Sequence, residues 1–290
     1  MNRREFLKTA VAFSATAVSS SSSSSSFFNG LGLSPEEIEL VRVRVRRPDL
    51  PRAFEGMTIA LLTDLHQGSP GVRPALIERA AEIAMSVRPD LICLGGDFIS
   101  GWGARGDIRE FLSIVRGLAA PMGVFAVLGN HEFMSGPDLA TRSFDHSSIR
   151  LLRNEVVTLH KDHQQLDFIG LDNYCNQPLK SLREQIERVS GHPGSLILEH
   201  SPDLAPMLGP AFDGLILCGH THGGQIMIPM LGQIASSSRF GQKYVAGLYP
   251  VGRGVMYISR GVGAVVIPMR IGCPPEVTVL ELRSGVHGAA

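Results

Sequence analysis

The chain has 290 residues, of which 44% are hydrophobic and 19% are charged, a composition typical of a globular protein with a sizeable core. Lysine plus arginine and aspartate plus glutamate each number 27, so the formal net charge is zero. That balance argues against the large basic surface that non-specific nucleic-acid binding requires, and we expect no specific nucleic-acid binding. No Cys-x-x-Cys pair is present, which argues against a cysteine zinc site.

The N-terminus has the pattern of an export signal. Arg3 and Arg4 precede a weakly apolar run over residues 9–18, and Ala-Thr-Ala at 15–17 offers a small-residue cleavage site. The pattern resembles a twin-arginine (Tat) signal, although Asn2 stands where Ser or Thr is more usual. The alternative is an ordinary basic N-terminus without a targeting role.

An unbroken serine run over residues 19–26 follows and predicts a flexible linker. We therefore divide the chain into a signal and linker over 1–33 and a catalytic domain over 34–290. The apolar run is shorter than the roughly 20 residues that a membrane-spanning helix needs. We expect export by the Tat machinery to the periplasm or cell envelope, with at most peripheral membrane association.

The first predicted strand covers residues 39–46, where valines alternate with arginines. This period of two predicts a half-buried edge strand with a solvated arginine face. The alternative is that the arginine row contacts anionic lipid or substrate.

Five short apolar runs then follow, each ending at a polar cluster. Aliphatic runs of this length suit strands that are buried on both faces. The runs cover residues 57–63, 91–94, 124–128, 195–198 and 215–218. Further strands are predicted over 156–159, 166–171, 225–228, 255–259 and 277–282.

Helical spacing of apolar residues predicts a helix over 74–87, with Pro74 near its start. Two more helices are predicted over 108–118 and 179–189. Strands that alternate with helices indicate an α/β fold, in which ligands collect at the carboxyl ends of the strands.

Residues that could bind metal follow the first two runs. Asp64 and His66 are two apart, and on a strand this spacing would place both side chains on one face. Asp97 follows two glycines at the next strand end, where it either binds an ion or caps a turn. Carboxylate and imidazole ligands suit Zn, Mn or Fe.

The later runs end at further candidate ligands. Asn130 and His131 follow the third run, where the alternative is a turn with a helix cap. His200, His220 and His222 follow the last two runs. A lone histidine at a strand end is usually structural, but three of them with two aspartates and an asparagine at successive strand ends are hard to explain by packing.

In chain order these motifs resemble the calcineurin-like metallophosphoesterase superfamily, over nearly all of residues 57–282. The motifs are Asp64-x-His66, Gly96-Asp97, Gly129-Asn130-His131-Glu132, His200 and Gly219-His220-Thr221-His222. A bacterial envelope branch of Tat-exported, phosphodiesterase-like proteins is similar in further detail, at residues 95–98, 219–225, 239–249 and 274–276.

The resemblance implies a four-layer α/β/β/α sandwich, in which two packed mixed β-sheets are flanked by helices. It also implies two divalent metal ions, of Mn, Zn or Fe. The ligands it implies are Asp64, His66 and His222 for the first metal, Asn130, His200 and His220 for the second, and Asp97 as the bridge between them.

The hypothesis for the chemistry is hydrolysis of a phosphodiester or phosphomonoester on a cell-envelope substrate. Two ions about 3.5–4 Å apart would share a hydroxide that attacks phosphorus in line. His131 would stabilise the developing charge or protonate the leaving oxygen, and its alternative role is to support a ligand through a hydrogen bond.

Three other functions stay open. One is a pyrophosphatase of the UDP-2,3-diacylglucosamine type in lipid metabolism, and another is a nucleotide phosphodiesterase, which nothing in the sequence selects. The last, from a different class, is a non-catalytic metal-binding scaffold for protein partners.

Several residues near the motifs have no assigned role. Phe98 and Trp102 either contact the substrate or pack within their loop. The remaining histidines match no ligand spacing and are interpreted as surface or structural residues: His146, His160, His163, His192 and His287.

Overall fold

The computed structural model describes residues 37–101, 107–228, 232–233 and 237–285. The predicted signal and linker lie outside the described residues, as do Trp102 and His287. Within the described part of the chain, no helix combines the length and the apolar character that crossing a membrane requires.

The secondary structure alternates between strands and helices for most of the chain. The strands are β1 (Glu39–Arg47), β2 (Thr58–Leu62), β3 (Leu91–Leu94), β4 (Val124–Ala126), β5 (Arg150–Leu151), β6 (Glu155–Lys161), β7 (Gln164–Gly170), β8 (Leu196–Leu198), β9 (Leu215–Cys218), β10 (Met227–Ile228), β11 (Gly232–Gln233), β12 (Gly247–Val251), β13 (Gly254–Ile258) and β14 (Glu276–Ser284). The helices are α1 (Pro74–Ser86), α2 (Ile108–Ile114), α3 (Asn130–Ser135), α4 (Pro137–Phe144) and α5 (Leu179–Ser190).

Two six-stranded mixed sheets form the centre of the molecule. The first has the order β1-β14-β2-β3-β4-β5, with β2 to β5 parallel and β14 antiparallel to β2. The second has the order β12-β13-β9-β8-β7-β6, with a parallel centre and an antiparallel strand at each edge. In both sheets the central parallel strands are buried on both faces, as their continuous aliphatic runs predict.

The apolar core is divided into three layers. Between the sheets, Phe125 of the first packs on Phe168 of the second, with ring centroids 5.1 Å apart. The outer face of the first sheet packs against α1, α2 and α4. The outer face of the second sheet packs against α5 through Val189 and Ile186. The predicted four-layer α/β/β/α sandwich is therefore confirmed.

The predicted edge strand is also confirmed, since β1 pairs only with β14 at the end of its sheet. Its arginines Arg42, Arg44 and Arg46 are exposed. Arg44 lies 3.2 Å from Glu281 of the neighbouring strand, so the arginine face is solvated and paired with β14.

Most predicted bounds lie within two residues of those observed, but one helix end, one strand start and one missed strand have physical reasons. The helix predicted over 108–118 ends at Ile114. Leu118 lies in the following turn but is buried, so it extended the apolar pattern beyond the end of the helix. The strand predicted over 225–228 begins only at Met227, because Gln225 has a positive φ of 52°. Strand β12 was not predicted, because Pro250 interrupts its pattern, and proline is tolerated there only because the strand is at an edge.

We expect the layer between the sheets to carry much of the stability. Leu196 is fully buried there, and Leu196→Ala should lower the free energy of unfolding by roughly 2–5 kcal/mol, because it leaves a cavity that the sheets cannot close. Leu248→Ala on edge strand β12, where the side chain is 40% exposed, is the matched control and should cost under about 1 kcal/mol. Urea unfolding measures both, and equal losses would contradict this account of the core.

Candidate metal centre

The candidate ligands lie where the parallel strands of both sheets end. Asp64 and His66 follow β2, Asp97 follows β3, His200 follows β8 and His220 follows β9. The Asp64 carboxylate joins the two sheets, because both of its oxygens lie 3.0 Å from the backbone nitrogen of His220, which donates to them. The ends of the parallel strands therefore form a single site, to which both sheets contribute side chains.

The backbone at this site is unusual. Five of the eight candidate residues have a positive φ, which is uncommon for residues other than glycine. They are Asp64 (54°), His66 (48°), Asp97 (52°), His220 (71°) and His222 (53°). Asp64 and His66 lie close together as predicted, but strand pleating is not the cause. Strand β2 ends at Leu62, and left-handed turns bring the two side chains together. Such backbone strain concentrates at functional sites.

Glycines leave room for these turns. A side chain at Gly219 would overlap the carboxylate of Asp64, and a side chain at Gly129 would overlap that of Asp97. Glycine is required at both positions because the backbone there comes too close to a carboxylate to leave room for a side chain.

A first group of potential ligands consists of Asp64, His66 and His222. The Nε2 atoms of His66 and His222 lie 3.0 Å apart, and His222 Nε2 lies 3.4 Å from Asp64 Oδ1. All three residues are buried.

A second group is built from Asn130, His200 and His220. The Nε2 atom of His200 lies 3.1 Å from Asn130 Oδ1 and 3.2 Å from His220 Nδ1. Nδ1 of His200 faces the Gly95 carbonyl at 2.8 Å, and Nε2 of His220 faces the Ser237 carbonyl at 3.3 Å. Each of these ring nitrogens can donate to its carbonyl, and in the neutral form of each ring the other nitrogen then directs its lone pair into the site.

Asp97 lies between the two groups. Its Oδ2 atom is 3.7 Å from His66 Nε2 of the first group and 3.2 Å from His200 Nε2 of the second. Its Oδ1 atom accepts a hydrogen bond of 2.9 Å from the backbone N–H of His131. One carboxylate oxygen is thus within reach of cations bound to either group.

The donor set fits metal ions. Asn130 Oδ1, Asp97 Oδ2 and His220 Nδ1 are all acceptors, and they converge on His200 Nε2. Burial lowers the pKa of His200, but the Asp97 carboxylate outweighs it and raises the pKa to about 10. The buried cluster therefore demands positive charge, and a divalent cation can supply it in place of a proton.

The other histidines favour the neutral form that binds metals. Burial lowers the pKa of His66 and of His220 to about 3, and it lowers the pKa of His222 well below its usual value. Imidazole and carboxylate ligands are suited to Zn, Mn or Fe.

His131 lies beside this cluster, with Nε2 3.9 Å from Asp97 Oδ2. Its Nδ1 atom accepts a 2.9 Å hydrogen bond from the backbone N–H of Gly101. Burial lowers the pKa of His131, so the ring is neutral near pH 7 and its one proton is on Nε2. His131, His66 and Asp97 could also form a ligand group, but His131 Nε2 would have to release its proton before it could bind an ion.

Glu132 is a functional residue that was named in the motif without a role. Its buried carboxylate accepts hydrogen bonds of 2.8–3.1 Å from four backbone N–H groups. The donors are the amides of Asp97, Phe98, Ile99 and Gly129. This one side chain therefore fixes the loops that carry Asp97 and Asn130, and its place at the end of a Gly-Asn-His-Glu motif was the available signal.

Arg270 was missed altogether. Its buried guanidinium donates to the carbonyls of Gly263 and Arg260 at 2.8 Å and of His222 at 3.1 Å. Its Nη2 atom lies 3.3 Å from His222 Nδ1. Arg270 positions His222, and nothing in the aperiodic segment around it pointed to this contact.

The residues without an assigned role lie elsewhere. Phe98 is fully buried and stacks on Phe111 with centroids 4.9 Å apart, so it packs within the core and has no surface for a substrate. His192 bonds Asp167 at 2.7 Å, and His146, His160 and the neighbouring His163 are exposed.

The chain is similar to several known proteins. The model of the calcineurin-like phosphoesterase family matches residues 57–224. Phosphodiesterase YaeI from Escherichia coli (strain K12) is 31% identical over 97% of this chain and 99% of its own length. Metallophosphoesterase YkuE from Bacillus subtilis (strain 168) is 29% identical over 98% of both chains. The solved structure of the calcineurin-like phosphoesterase YfkN from Bacillus subtilis is 16% identical, with a TM-score of 0.42 over 77% of this chain and 81% of its own.

The family match covers more than half of the chain, and it contains the strand-end motifs from Asp64 to His222. The buried histidine and aspartate groups are those that a metal-dependent hydrolase of phosphate esters needs. The chain therefore belongs to the calcineurin-like phosphoesterase family and is a metal-dependent phosphoester hydrolase.

Proposed function

We propose that this chain is a dinuclear-metal phosphodiesterase that acts on a substrate in the cell envelope. The observation that carries the proposal is the position of Asp97 Oδ2 between two separate groups of ligands. The preference for a diester is supported by the relative named phosphodiesterase YaeI, whose similarity extends over nearly the whole chain.

The first metal would be held by Asp64, His66 and His222, and the second by Asn130, His200 and His220. Asp97 would contribute to both. When bound, the two ions would activate water and take up negative charge on the phosphate ester. Mn, Zn and Fe all suit these ligands, and availability decides among them.

His131 would act as a hydrogen-bond donor to the substrate. Its Nδ1 atom is occupied by the Gly101 N–H, so its only proton is on Nε2, which faces Asp97 at the edge of the ligand cluster. From there Nε2–H can donate a hydrogen bond to a phosphoryl oxygen. Proton transfer to the leaving oxygen would first require a second proton on the ring, because a neutral imidazole that gives up its only proton becomes an imidazolate. The rigid loop that Glu132 holds supplies the necessary orientation.

The complete ligand set argues against a non-catalytic scaffold, because no selection for protein binding would require seven convergent metal-binding side chains. Pyrophosphate hydrolysis uses the same metals and is separated from diester hydrolysis only by assay.

The first prediction concerns Asp97. Asp97→Asn removes the charge shared by both groups, so bound metal should fall from about two ions per chain, and turnover of bis-p-nitrophenyl phosphate should fall at least about 100-fold, the scale of losing one electrostatic contact to the transition state. Elemental analysis and initial rates measure the two effects.

Asp90→Asn is the matched control, because Asp90 lies at the opposite end of the same strand β3 and bonds Thr58. It should keep both metals and full turnover. Wild-type protein that binds no metal and gains no activity from added Mn or Zn would overturn the catalytic proposal. Faster turnover of p-nitrophenyl phosphate or of a nucleotide pyrophosphate than of the diester would replace the proposed substrate class.

The second prediction concerns His131. His131→Ala should keep both metals but lower kcat by about 10²–10³, the scale of losing one hydrogen-bond donor to the transition state. If His131 protonates the leaving oxygen, the loss will be larger for an alkyl or phenyl ester than for a p-nitrophenyl ester, because the poorer leaving group needs the proton more. An equal loss of kcat on all esters would indicate that His131 donates to a phosphoryl oxygen. Full turnover in the variant would show that His131 has no role in catalysis.

The third prediction concerns export. Changing Arg3→Lys and Arg4→Lys together should leave the protein in the cytoplasm if the N-terminus is a twin-arginine signal. Fractionation of cells that express each form measures the distribution. Unchanged export would assign the segment to another route, and a cytoplasmic wild-type protein would contradict the envelope substrate.

A further inference from the structure

A cavity of about 610 Å³ lies between helices α2 and α4, outside the metal centre. Its walls carry the cationic groups of Arg109, Arg116 and Arg142 and the imidazole of His146. None of the described residues that line it is an aspartate or a glutamate. The chain as a whole has no net charge, so this concentration of positive charge is a local feature.

The three guanidiniums make no side-chain hydrogen bond or ion pair with any other described residue. Several other arginines are paired, as Arg153 is with Asp172 and Arg260 is with Glu276. Three arginines that line one cavity place like charges beside it, and a bound anion would relieve their repulsion. Guanidinium groups have the fork geometry that suits phosphate oxygens.

The remaining walls combine hydroxyl and apolar groups. The hydroxyls belong to Ser113, Ser143, Ser147 and Ser148, and the apolar side chains to Leu112, Leu139 and Ile149. Leu139 is 49% exposed, and Met134 on the adjoining helix α3 is 47% exposed. Large apolar side chains beside unpaired cations are typical of a surface that contacts anionic lipid.

A second cavity of about 470 Å³ continues from the first and shares Arg109 and Leu139 with it. It reaches Ser135, which is one helical turn from His131 on α3. Its two carboxylates are already engaged, since Glu132 accepts four backbone amides and Asp107 caps α2. These hydrogen bonds do not remove the negative charge of the carboxylates, so the phosphate is expected in the first, arginine-lined cavity.

We propose that the α2–α4 cavity binds the phosphate headgroup of an anionic phospholipid, with Leu139 and Met134 in contact with the acyl boundary of the membrane. Charge complementarity selects this partner, because a headgroup phosphate can pair with three guanidiniums that have no acidic partner among the described residues, and the half-exposed Leu139 beside them can contact the acyl region. Docking in this way would present the groove beside His131 to the membrane surface.

The test uses the full-length chain and vesicles of phosphatidylcholine with or without phosphatidylglycerol. Arg109→Gln/Arg142→Gln should bind the anionic vesicles at least about tenfold more weakly than the unaltered chain, since each arginine near such a surface contributes on the order of 1 kcal/mol. Neutral vesicles should bind both proteins equally weakly. Co-sedimentation reads binding without turnover, so its result is independent of the proposed phosphodiesterase activity.

The matched control is Arg183→Gln/Arg188→Gln, which removes the same charge from exposed positions on α5, in the opposite outer layer. This variant should bind anionic vesicles within about twofold of the unaltered chain, since its arginines are far from the cavity. Every variant keeps residues 1–36, so any contribution from the N-terminus is common to all. Unchanged melting temperatures and metal contents show that the variants fold.

Equal weakening of vesicle binding by both pairs of substitutions would overturn the proposal, because it would mean that overall charge causes the attraction.

Leu139→Ala should also weaken binding to anionic vesicles by severalfold. Calorimetry with soluble glycerol phosphate separates the two sources of phosphate. Binding of glycerol phosphate as tight as that of the vesicles, with no effect of Leu139→Ala, would assign the cavity to a small anion and overturn the membrane contact.

Discussion

The buried carboxylate of Asp97 is the constraint around which the site is arranged. A charged group in a dry interior is costly unless cations or hydrogen-bond donors surround it. Here Oδ1 accepts the His131 amide, and Oδ2 faces the imidazoles of His66 and His200. Without bound cations, acceptor atoms of the ligands would face one another at about 3 Å, as Nε2 of His66 and Nε2 of His222 do. Metal binding is therefore coupled to the stability of the strand-end loops.

This arrangement needs a backbone that ordinary strands do not supply. Left-handed turns place Asp64, His66 and Asp97, each at a cost of about 1–2 kcal/mol. Buried polar side chains maintain the turns from outside the ligand set: Glu132 gathers four amides, and Arg270 gathers the carbonyls around His222. Because the two sheets behind them pack through a continuous apolar layer, the strained loops rest on a rigid base.

The outer layers of the sandwich differ from each other in charge. Helix α5 covers the second sheet with an amphipathic face and exposed polar residues. On the other side, α2 and α4 present unpaired arginines beside exposed Leu139. Helix α3, which carries His131, leads directly into α4, so the basic cavity and the metal centre are joined through a few residues of α3. A ligand held in the cavity would therefore lie near the site of phosphate-ester hydrolysis.

Local sequence patterns determined much of this architecture. Continuous aliphatic runs identified the central strands, helical spacing gave α1 to within one residue, and the polar residue after each run marked the edge where the site forms. Short elements escaped, since six-residue α3 is less than two turns and shows no period. Only the tertiary structure decided the left-handed placement of the ligands, the tautomer of His131, the support from Arg270 and the basic cavity. These depend on contacts between segments far apart in the chain, and a periodic pattern carries information only about residues that are close together.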